Sequence, residues 1–169
     1  GICGGLQMLG ESLVDPYLKE GSNKFYKKEI NGIGILPLRT IFNQIKQTRQ
    51  VSCKSLWPCE ANIDGFEIHN GVSDLSYQNE GSKIKPLFKD DNLGWYLENN
   101  KGGSTLGTYI HGIFENDTWR ESYINFIRSK KGLPILDKRI KNYKIKRDSI
   151  IENLAIQFNK YINLATFLN

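Results

Sequence analysis

The spacing of apolar residues in the first fifth of the chain predicts one amphipathic helix followed by an irregular segment. In residues 4–14 the apolar positions recur at helical spacing among polar ones. We expect this helix to stop at Pro16, because a proline disfavours helical backbone in the residue before it. Residues 17–31 are polar and rich in lysine, without a clear period.

The middle of the chain has the shorter periods of strands. Residues 33–42 are apolar and β-prone, and residues 47–53 are a candidate partner strand for them. A hairpin turn at residues 99–103 leads into a further strand at 104–111. Three more short strands are expected at residues 75–77, 83–88 and 94–98. This succession predicts a substantial antiparallel region.

Residues 65–69 alternate strictly, which predicts a strand with two chemically different faces. Phe66 and Ile68 lie on one face, and Glu67 and His69 lie on the other.

Two helices are expected in the last third of the chain. Asn116 or Asp117 caps the first, which reaches Lys130 and ends at the Gly-Leu-Pro of residues 132–134. Its inward-facing side chains are Trp119, Tyr123, Phe126 and Ile127.

A basic linker runs from this helix to residue 147, and Asp148 or Ser149 caps the last helix. The apolar stripe of that helix is expected to pack in the core against the sheet; it consists of Ile150, Ile151, Leu154, Ala155, Phe158, Tyr161 and Ile162.

Composition narrows the class of protein. The 169 residues include 39% hydrophobic and 11% aromatic residues, which is typical of one globular domain with a core. No apolar run approaches the roughly 18 residues that span a bilayer, so we expect no membrane partner. The net charge of +5 comes from scattered lysines, so we expect a solvated surface and no nucleic acid. Three cysteines without a C-x-x-C pair indicate neither a disulfide framework nor a metal site, and a free thiol suits the cytoplasm.

Cys3 stands in the Gly-x-Cys-Gly-Gly pattern of a nucleophile elbow. In that geometry a strand ends, the chain turns sharply and a helix begins beneath the nucleophile. Gly1, Gly4 and Gly5 suit such a turn, because side chains there would block the strained backbone or a substrate. The helix dipole favours a thiolate at that position. A buried structural cysteine in a glycine-rich turn remains the alternative from these residues alone.

Several motifs occur in a fixed order along the chain. They are Gly-Ile-Cys-Gly-Gly-Leu-Gln-Met-Leu-Gly (1–10), Asp-Pro (15–16), Gly-Ile-Gly-Ile-Leu-Pro (32–37), Gly-Phe-Glu-Ile-His-Asn-Gly (65–71) and Gly-Thr-Tyr-Ile-His-Gly-Ile-Phe-Glu-Asn-Asp (107–117). Together they resemble the C-terminal glutamine amidotransferase domain of the cobyric acid synthase family, within the class I amidotransferase superfamily.

The resemblance implies an α/β fold, flavodoxin-like, with a doubly wound mixed sheet. It implies that Cys3 attacks glutamine and that His111 is the general base and then the acid that protonates ammonia. The N–H of Gly4 would be an oxyanion donor, and Gln7 would help to bind glutamine, although a core or capping amide is the other interpretation.

One position departs from the superfamily. Most members carry a glutamate two residues after the histidine, and Ile113 stands there in this chain, as in the cobyric acid synthase branch. The site is therefore expected to work as a Cys–His dyad or to use another carboxylate, with Glu67 and Glu115 as candidates. His69 either orients a catalytic side chain or has a structural role.

The resemblance also implies what surrounds the domain. We expect residues 1–169 to be a fragment that begins at the elbow, without the N-terminal strands and glycine-rich loop of the superfamily. An upstream synthetase domain would use ATP and Mg²⁺ to amidate carboxylates of a corrin, adenosylcobyrinic acid a,c-diamide; this domain itself would need no cofactor and no metal. The alternatives are the same glutaminase in a cobyrinate a,c-diamide synthase or lipid II amidotransferase, a non-catalytic docking module, or an unrelated elbow cysteine hydrolase.

Overall fold

The computed structural model describes residues 1–20, 28–76, 83–90, 92–99, 102–136 and 142–162. These residues form a short helix, nine strands, a 3₁₀ turn and two longer helices. In chain order the elements are α1 (Gly4–Leu9), β1 (Ser12–Val14), β2 (Glu29–Asn31), β3 (Leu38–Ile41), β4 (Gln47–Ser55), β5 (Ala61–His69), β6 (Val72–Leu75), β7 (Ile84–Pro86), β8 (Gly94–Glu98), β9 (Ser104–Thr108), the 3₁₀ turn (Ile113–Glu115), α2 (Asp117–Lys130) and α3 (Tyr143–Tyr161). The chain divides into two units, Gly1–Ile113 and Phe114–Asn169.

Three small sheets build the first unit. The first has the strand order β2-β1-β3-β6, in which β1 and β3 are parallel and the other neighbours are antiparallel. The second is the antiparallel pair β4-β5, and the third is the antiparallel sheet β7-β8-β9. The mixed α/β class expected from the resemblance is confirmed.

The core of the first unit lies where α1 meets two of these sheets. Leu6 of α1 is fully buried in one cluster with Leu36, Leu38, Trp95 and Tyr109. A Cβ atom at Gly107 of β9 would lie 2.3 Å from Leu6 Cδ1, so glycine at this position lets the helix lie directly on the strand. Burial of each large apolar side chain contributes about 1.5–3 kcal/mol, and this packing holds α1 in place.

The first predicted helix ends earlier than its apolar period indicates. It stops at Leu9, Gly10 is extended (φ −68°, ψ 176°), and Ser12–Val14 form strand β1. The prediction of helix over residues 10–14 was therefore wrong, because β1 hydrogen-bonds to strands on both of its sides. Residues 29–31 of the segment predicted to be irregular form β2, and residues 21–27 lie outside the described part.

The predicted partner for residues 33–42 was also wrong. Strand β4 does form over the predicted residues, but it pairs with β5 along nine residues, from Gln47 opposite His69 to Ser55 opposite Ala61. Strand β3 pairs instead with β1 and β6. Strands β4 and β5 each have nine residues and pair along their whole length, which β3 with its four residues could not match.

Two of the other strands agree with the prediction, since β7 and β8 lie within their predicted ranges. The bounds predicted for a strand at residues 75–77 were wrong, because β6 covers Val72–Leu75, Ser76 lies outside it, and residue 77 is outside the described part. Strand β9 ends at Thr108, three residues before the predicted end. At the predicted turn, the Asn99 N–H donates to the Gly103 carbonyl at 2.9 Å, and the Gly103 N–H donates to Asn99 Oδ1 at 2.7 Å. The hairpin β8-β9 is therefore confirmed.

In the second unit, α2 has the predicted bounds. Trp119 is fully buried and stacks on Tyr123 with ring centroids 5.2 Å apart. Ile127, predicted to face inward, is 38% exposed. Asn116 occupies the N-cap position without a side-chain capping bond, and Gly132 (φ 66°) follows the end of the helix.

The last helix differs from its prediction in start and in burial. It begins at Tyr143, because Asn142 caps it by accepting the Ile145 N–H at 3.1 Å, so neither Asp148 nor Ser149 is the cap. The linker predicted up to residue 147 is helical from Tyr143 onwards, and residues 137–141 lie outside the described part. None of its residues is buried, so the predicted core packing of its apolar stripe was wrong; Ile150, Ile151, Leu154, Phe158 and Tyr161 are all at least half exposed. No helix in the described ranges is long and apolar enough to cross a membrane.

Candidate active site

Cys3 lies at a sharp turn between a strand-like segment and α1. Ile2 forms a parallel bridge with Thr108, the Cys3 N–H donates to the Thr108 carbonyl at 2.8 Å, and Gly4 begins the helix. Cys3 has φ 52° and ψ −116°, in the left-handed region that disfavours non-glycine residues. Such backbone costs on the order of 1–3 kcal/mol and is concentrated at functional sites. The predicted strand–turn–helix geometry is present.

At only one of the three glycines around Cys3 would a side chain clash with other described residues. A Cβ atom at Gly1 would lie 2.4 Å from the Gly5 carbonyl oxygen, a distance that no side chain tolerates. At Gly4 and Gly5 a Cβ atom would meet nothing within 4 Å. The backbone therefore requires glycine at position 1, the space beside Gly4 and Gly5 is open, and the expectation that side chains there would block a substrate stays a prediction.

Strand β5 positions both Cys3 and His111. The half-buried Cys3 donates from Sγ to the Ile68 carbonyl at 3.3 Å. His111 pairs with Phe66 through two backbone bonds, of 2.8 and 3.2 Å, and its ring stacks on the Phe66 ring with centroids 5.2 Å apart and planes 6° apart. Ile68, which contacts Cys3, and Phe66, which contacts His111, are two residues apart on β5, or about 7 Å.

The imidazole of His111 has one nitrogen without a partner. Its Nε2 atom is buried and has no hydrogen bond within the described part of the chain. Buried polar atoms are nearly always paired, so an orphan of this kind indicates a reacting group or a group that the protein binds.

Gln7, predicted to bind glutamine, is buried and bonded within the protein. Its Nε2 donates to the Asn70 carbonyl at 2.9 Å and to the Tyr109 hydroxyl at 3.3 Å, which occupies both amide hydrogens. Contact between Gln7 and glutamine stays a prediction. The Gly4 N–H, predicted to bind an oxyanion, makes no hydrogen bond to any described residue, as is usual in the first turn of a helix.

Glu67 and His69 face the other side of β5, as the alternation predicted. Both are buried, at 4% and 8% exposure. Arg49 Nε donates to Glu67 Oε1 at 2.7 Å, and this hydrogen bond raises the pKa of the guanidinium. The other carboxylate oxygen of Glu67 lies 4.0 Å from His69 Nε2. Neither Cys3 nor His111 lines the cavity of about 470 Å³ on this side.

His69 is held in one orientation. Its Nδ1 lies 3.0 Å from the Gly71 carbonyl, which only accepts, so Nδ1 carries the hydrogen. The ring stacks on Tyr109 with centroids 3.7 Å apart. Burial lowers the pKa of His69 below its usual 6.5, although the charge of Glu67 opposes the shift.

Glu115, the other candidate for an orienting carboxylate, belongs to the second unit. Arg147 Nη1 lies 3.1 Å from Glu115 Oε2 in a partly exposed ion pair. Among the described residues, no group of three His, Cys, Asp or Glu side chains is placed to hold a metal ion.

Sequence reasoning missed three residues beside the site. Phe66 stacks on His111, Arg49 pairs with Glu67, and Tyr109 contacts both Gln7 and His69. Tyr109 and Phe66 each had a signal, since Tyr109 lies two residues before His111 in its motif and Phe66 lies in the motif of residues 65–71. Arg49 has none, because its partner depends on the pairing of β4 with β5.

Known proteins match the chain over most of its length. Residues 1–119 match the model of the CobB/CobQ-like glutamine amidotransferase domain. A cobyric acid synthase from Prochlorococcus marinus strain MIT 9312 is 62% identical over 169 residues, which cover 100% of this chain and 33% of the relative. Two more, from strains MIT 9215 and NATL2A, are 59% and 47% identical, covering 100% and 97% of this chain and 33% and 32% of the relatives.

The chain thus spans about a third of the length of the curated relatives that it matches. The matched family model includes the elbow, strand β5 and the segment that carries His111. On this match the chain belongs to the family of CobB/CobQ-like glutamine amidotransferase domains.

Proposed function

We propose that this chain hydrolyses glutamine at Cys3 and His111 and supplies the ammonia to an amide-forming partner domain. The observation that carries the proposal is the buried Nε2 of His111, which has no hydrogen-bond partner among the described residues and belongs to a segment paired with the strand that binds the Cys3 thiol. An imidazole without a partner is free to exchange protons with a thiol and a leaving group. Membership of the amidotransferase family supports glutamine as the amide donor.

The reaction proceeds in two halves. His111 takes the thiol proton, Cys3 Sγ attacks the carboxamide carbon of glutamine, and the Gly4 N–H stabilises the oxyanion. Collapse of the tetrahedral intermediate breaks the C–N bond, and His111 delivers its proton to the leaving ammonia. Water, deprotonated by His111, then attacks the thioester, the C–S bond breaks to release glutamate, and His111 returns the proton to Cys3 Sγ, which restores the thiol.

We further propose that the site works as a dyad. Each carboxylate oxygen of Glu67 is directed to Arg49 or His69 on the opposite face of β5, and Ile113 is apolar. The imidazole of His111 is held instead by its stack on Phe66 and by the backbone pairing of the same two residues. A rigid ring of this kind needs no third charged member to keep its orientation.

The acceptor follows from the relatives rather than from this chain. Each relative described above is named cobyric acid synthase, and two thirds of its length lies outside the match. We propose that those two thirds correspond to an ATP- and Mg²⁺-dependent synthetase domain that amidates corrin carboxylates in cobalamin biosynthesis, in the cytoplasm. A cobyrinate a,c-diamide synthase or lipid II amidotransferase would share the glutaminase and differ in acceptor, whereas a docking module would lack glutaminase activity.

The test separates ammonia production from ammonia use. In the natural full-length protein, Cys3→Ala is expected to abolish amidation of the corrin with glutamine and to preserve amidation with ammonium chloride. Cys53→Ala, a cysteine on β4, serves as the control and is expected to use both nitrogen sources. Glutamine-dependent amidation that survives Cys3→Ala would contradict the glutaminase proposal, and unamidated corrin with either source would contradict the acceptor.

A further inference from the structure

A series of buried hydrogen bonds connects three elements of the first unit with the segment that follows β9. Gln7 of α1 donates to the Tyr109 hydroxyl, which is 2.5 Å from Ser73 Oγ on β6, and Ser73 Oγ is 2.6 Å from Thr40 Oγ1 on β3. All four side chains are at most 6% exposed. Buried polar groups are costly unless every one is paired, so such a series holds its elements in one arrangement.

Tyr109 lies in the middle of this series and beside both proposed catalytic residues. It follows Thr108, whose carbonyl accepts the Cys3 N–H at 2.8 Å, and it precedes His111 by two residues. Gln7 lies one turn of α1 beyond Cys3. The bond between Gln7 and Tyr109 therefore joins the helix under the nucleophile to the segment that carries the base.

We propose that Tyr109 is a positioning residue that holds Cys3 in register with His111 through the hydrogen bonds of its hydroxyl to Gln7 and Ser73. This inference rests on the proposed glutaminase function. The Tyr109 hydroxyl acts as a fixed neutral group: burial raises the pKa of the phenol, so it keeps its proton at the pH of the reaction. Its ring has a separate structural task, the stack on His69.

The variant Tyr109→Phe tests the hydroxyl alone. It keeps the ring, leaves one amide hydrogen of Gln7 without a partner, and removes one of the two bonds of the Ser73 hydroxyl, which keeps its bond to Thr40. Displacement of a reacting group by about 1 Å can lower rates by about 100-fold. We expect kcat for ammonia release by the natural full-length protein to fall by about 10- to 100-fold, with little change in KM.

A matched control is available on strand β8. Tyr96 is also buried, at 9% exposure, and its hydroxyl makes no hydrogen bond within the described ranges. Tyr96→Phe therefore removes the same atom from the same unit and is expected to keep the kcat of the parent. The melting temperatures of both variants show how much of any fall in kcat comes from a loss of stability.

A second readout distinguishes positioning from general destabilisation. The rate at which iodoacetamide alkylates Cys3 as pH rises depends on the neighbouring imidazole. In folded Tyr109→Phe this pH profile is expected to move towards that of His111→Ala, whereas in Tyr96→Phe it stays where it was. If Tyr109→Phe does not fold, Ser73→Ala removes the next hydroxyl of the series and is judged by the same profile.

The possible failures differ from each other. If Tyr109→Phe matches Tyr96→Phe in kcat and in alkylation profile, the positioning role is overturned and the glutaminase proposal stands. If Cys3→Ala or His111→Ala still releases ammonia, the glutaminase proposal itself fails.

Discussion

Replacing Gly65 by alanine should displace the proposed catalytic base through a clash with its backbone, while the His111 side chain itself is unchanged. Gly65 lies on β5 opposite the segment that carries His111, and an added Cβ atom would be 2.4 Å from the His111 carbonyl oxygen and 2.5 Å from Ile110 Cγ2. The lowest ordinary contact is 3.4 Å, so the two segments must separate by about 1 Å. That movement breaks the backbone pairing of Phe66 with His111.

Two magnitudes follow from this clash. Overpacking of this kind costs about 1–3 kcal/mol in the free energy of unfolding, which urea denaturation measures. A 1 Å displacement of the base lowers kcat by on the order of 100-fold, measured as ammonia release from glutamine per folded molecule.

Gly32→Ala provides the control for stability. Its Cβ atom would lie 2.1 Å from the Gly10 carbonyl oxygen, so it also clashes with backbone, but in a segment that does not carry His111. We expect a comparable loss of stability with kcat retained. If folded Gly65→Ala has the kcat of Gly32→Ala, then the contact between β5 and the His111 segment does not position the base, and the reasoning is refuted.

Two further predictions concern thiol reactivity and pH. Burial raises the pKa of Cys53 to about 11, so at pH 8 about one Cys53 thiol in a thousand is ionised. Peptide mass spectrometry after brief iodoacetamide treatment should therefore find Cys3 labelled well before Cys53. Equal labelling of the two cysteines would contradict an activated Cys3. His69 has a pKa below 6.5 in the folded state, so the unfolded state binds the proton first as pH falls, and the free energy of unfolding should decrease from pH 7.5 to pH 5.5. His69→Gln should make this decrease smaller, and an unchanged pH dependence would exclude His69 as its source.

The parts of the fold that local pattern determines could be predicted from the sequence. The faces of β5 followed from strict alternation, and α2 followed from its helical period and its terminal signals. The hairpin at residues 99–103 followed from turn residues whose own backbone makes the bonds. In each case the interactions that decide the structure lie within a few residues.

The missed features depend on partners that are distant in the sequence. Leu13 fits a helical period, but the hydrogen bonds of β1 to β2 and β3 place it in a strand. The exposure of α3 cannot be read from its apolar residues, because composition does not say what covers a helix.

The candidate site divides in the same way. Cys3 and His111 could be predicted because each lies in a short motif, and the strand–turn–helix geometry at Cys3 is present in the structure. The hydrogen bonds of Gln7, Arg49 and Tyr109 could not be predicted from the sequence, because each joins residues at least 18 positions apart.

Strand β5 also constrains how this family can change its length. The Phe66 ring stacks on His111 from one face of β5, and Glu67 and His69 lie on its opposite face. Because successive side chains point to opposite faces, inserting or deleting a single residue within β5 would exchange the two sets. Insertions of any length in the connection between β4 and β5 are therefore compatible with the site. Within the strand itself, only insertions or deletions of an even number of residues keep each side chain on its face.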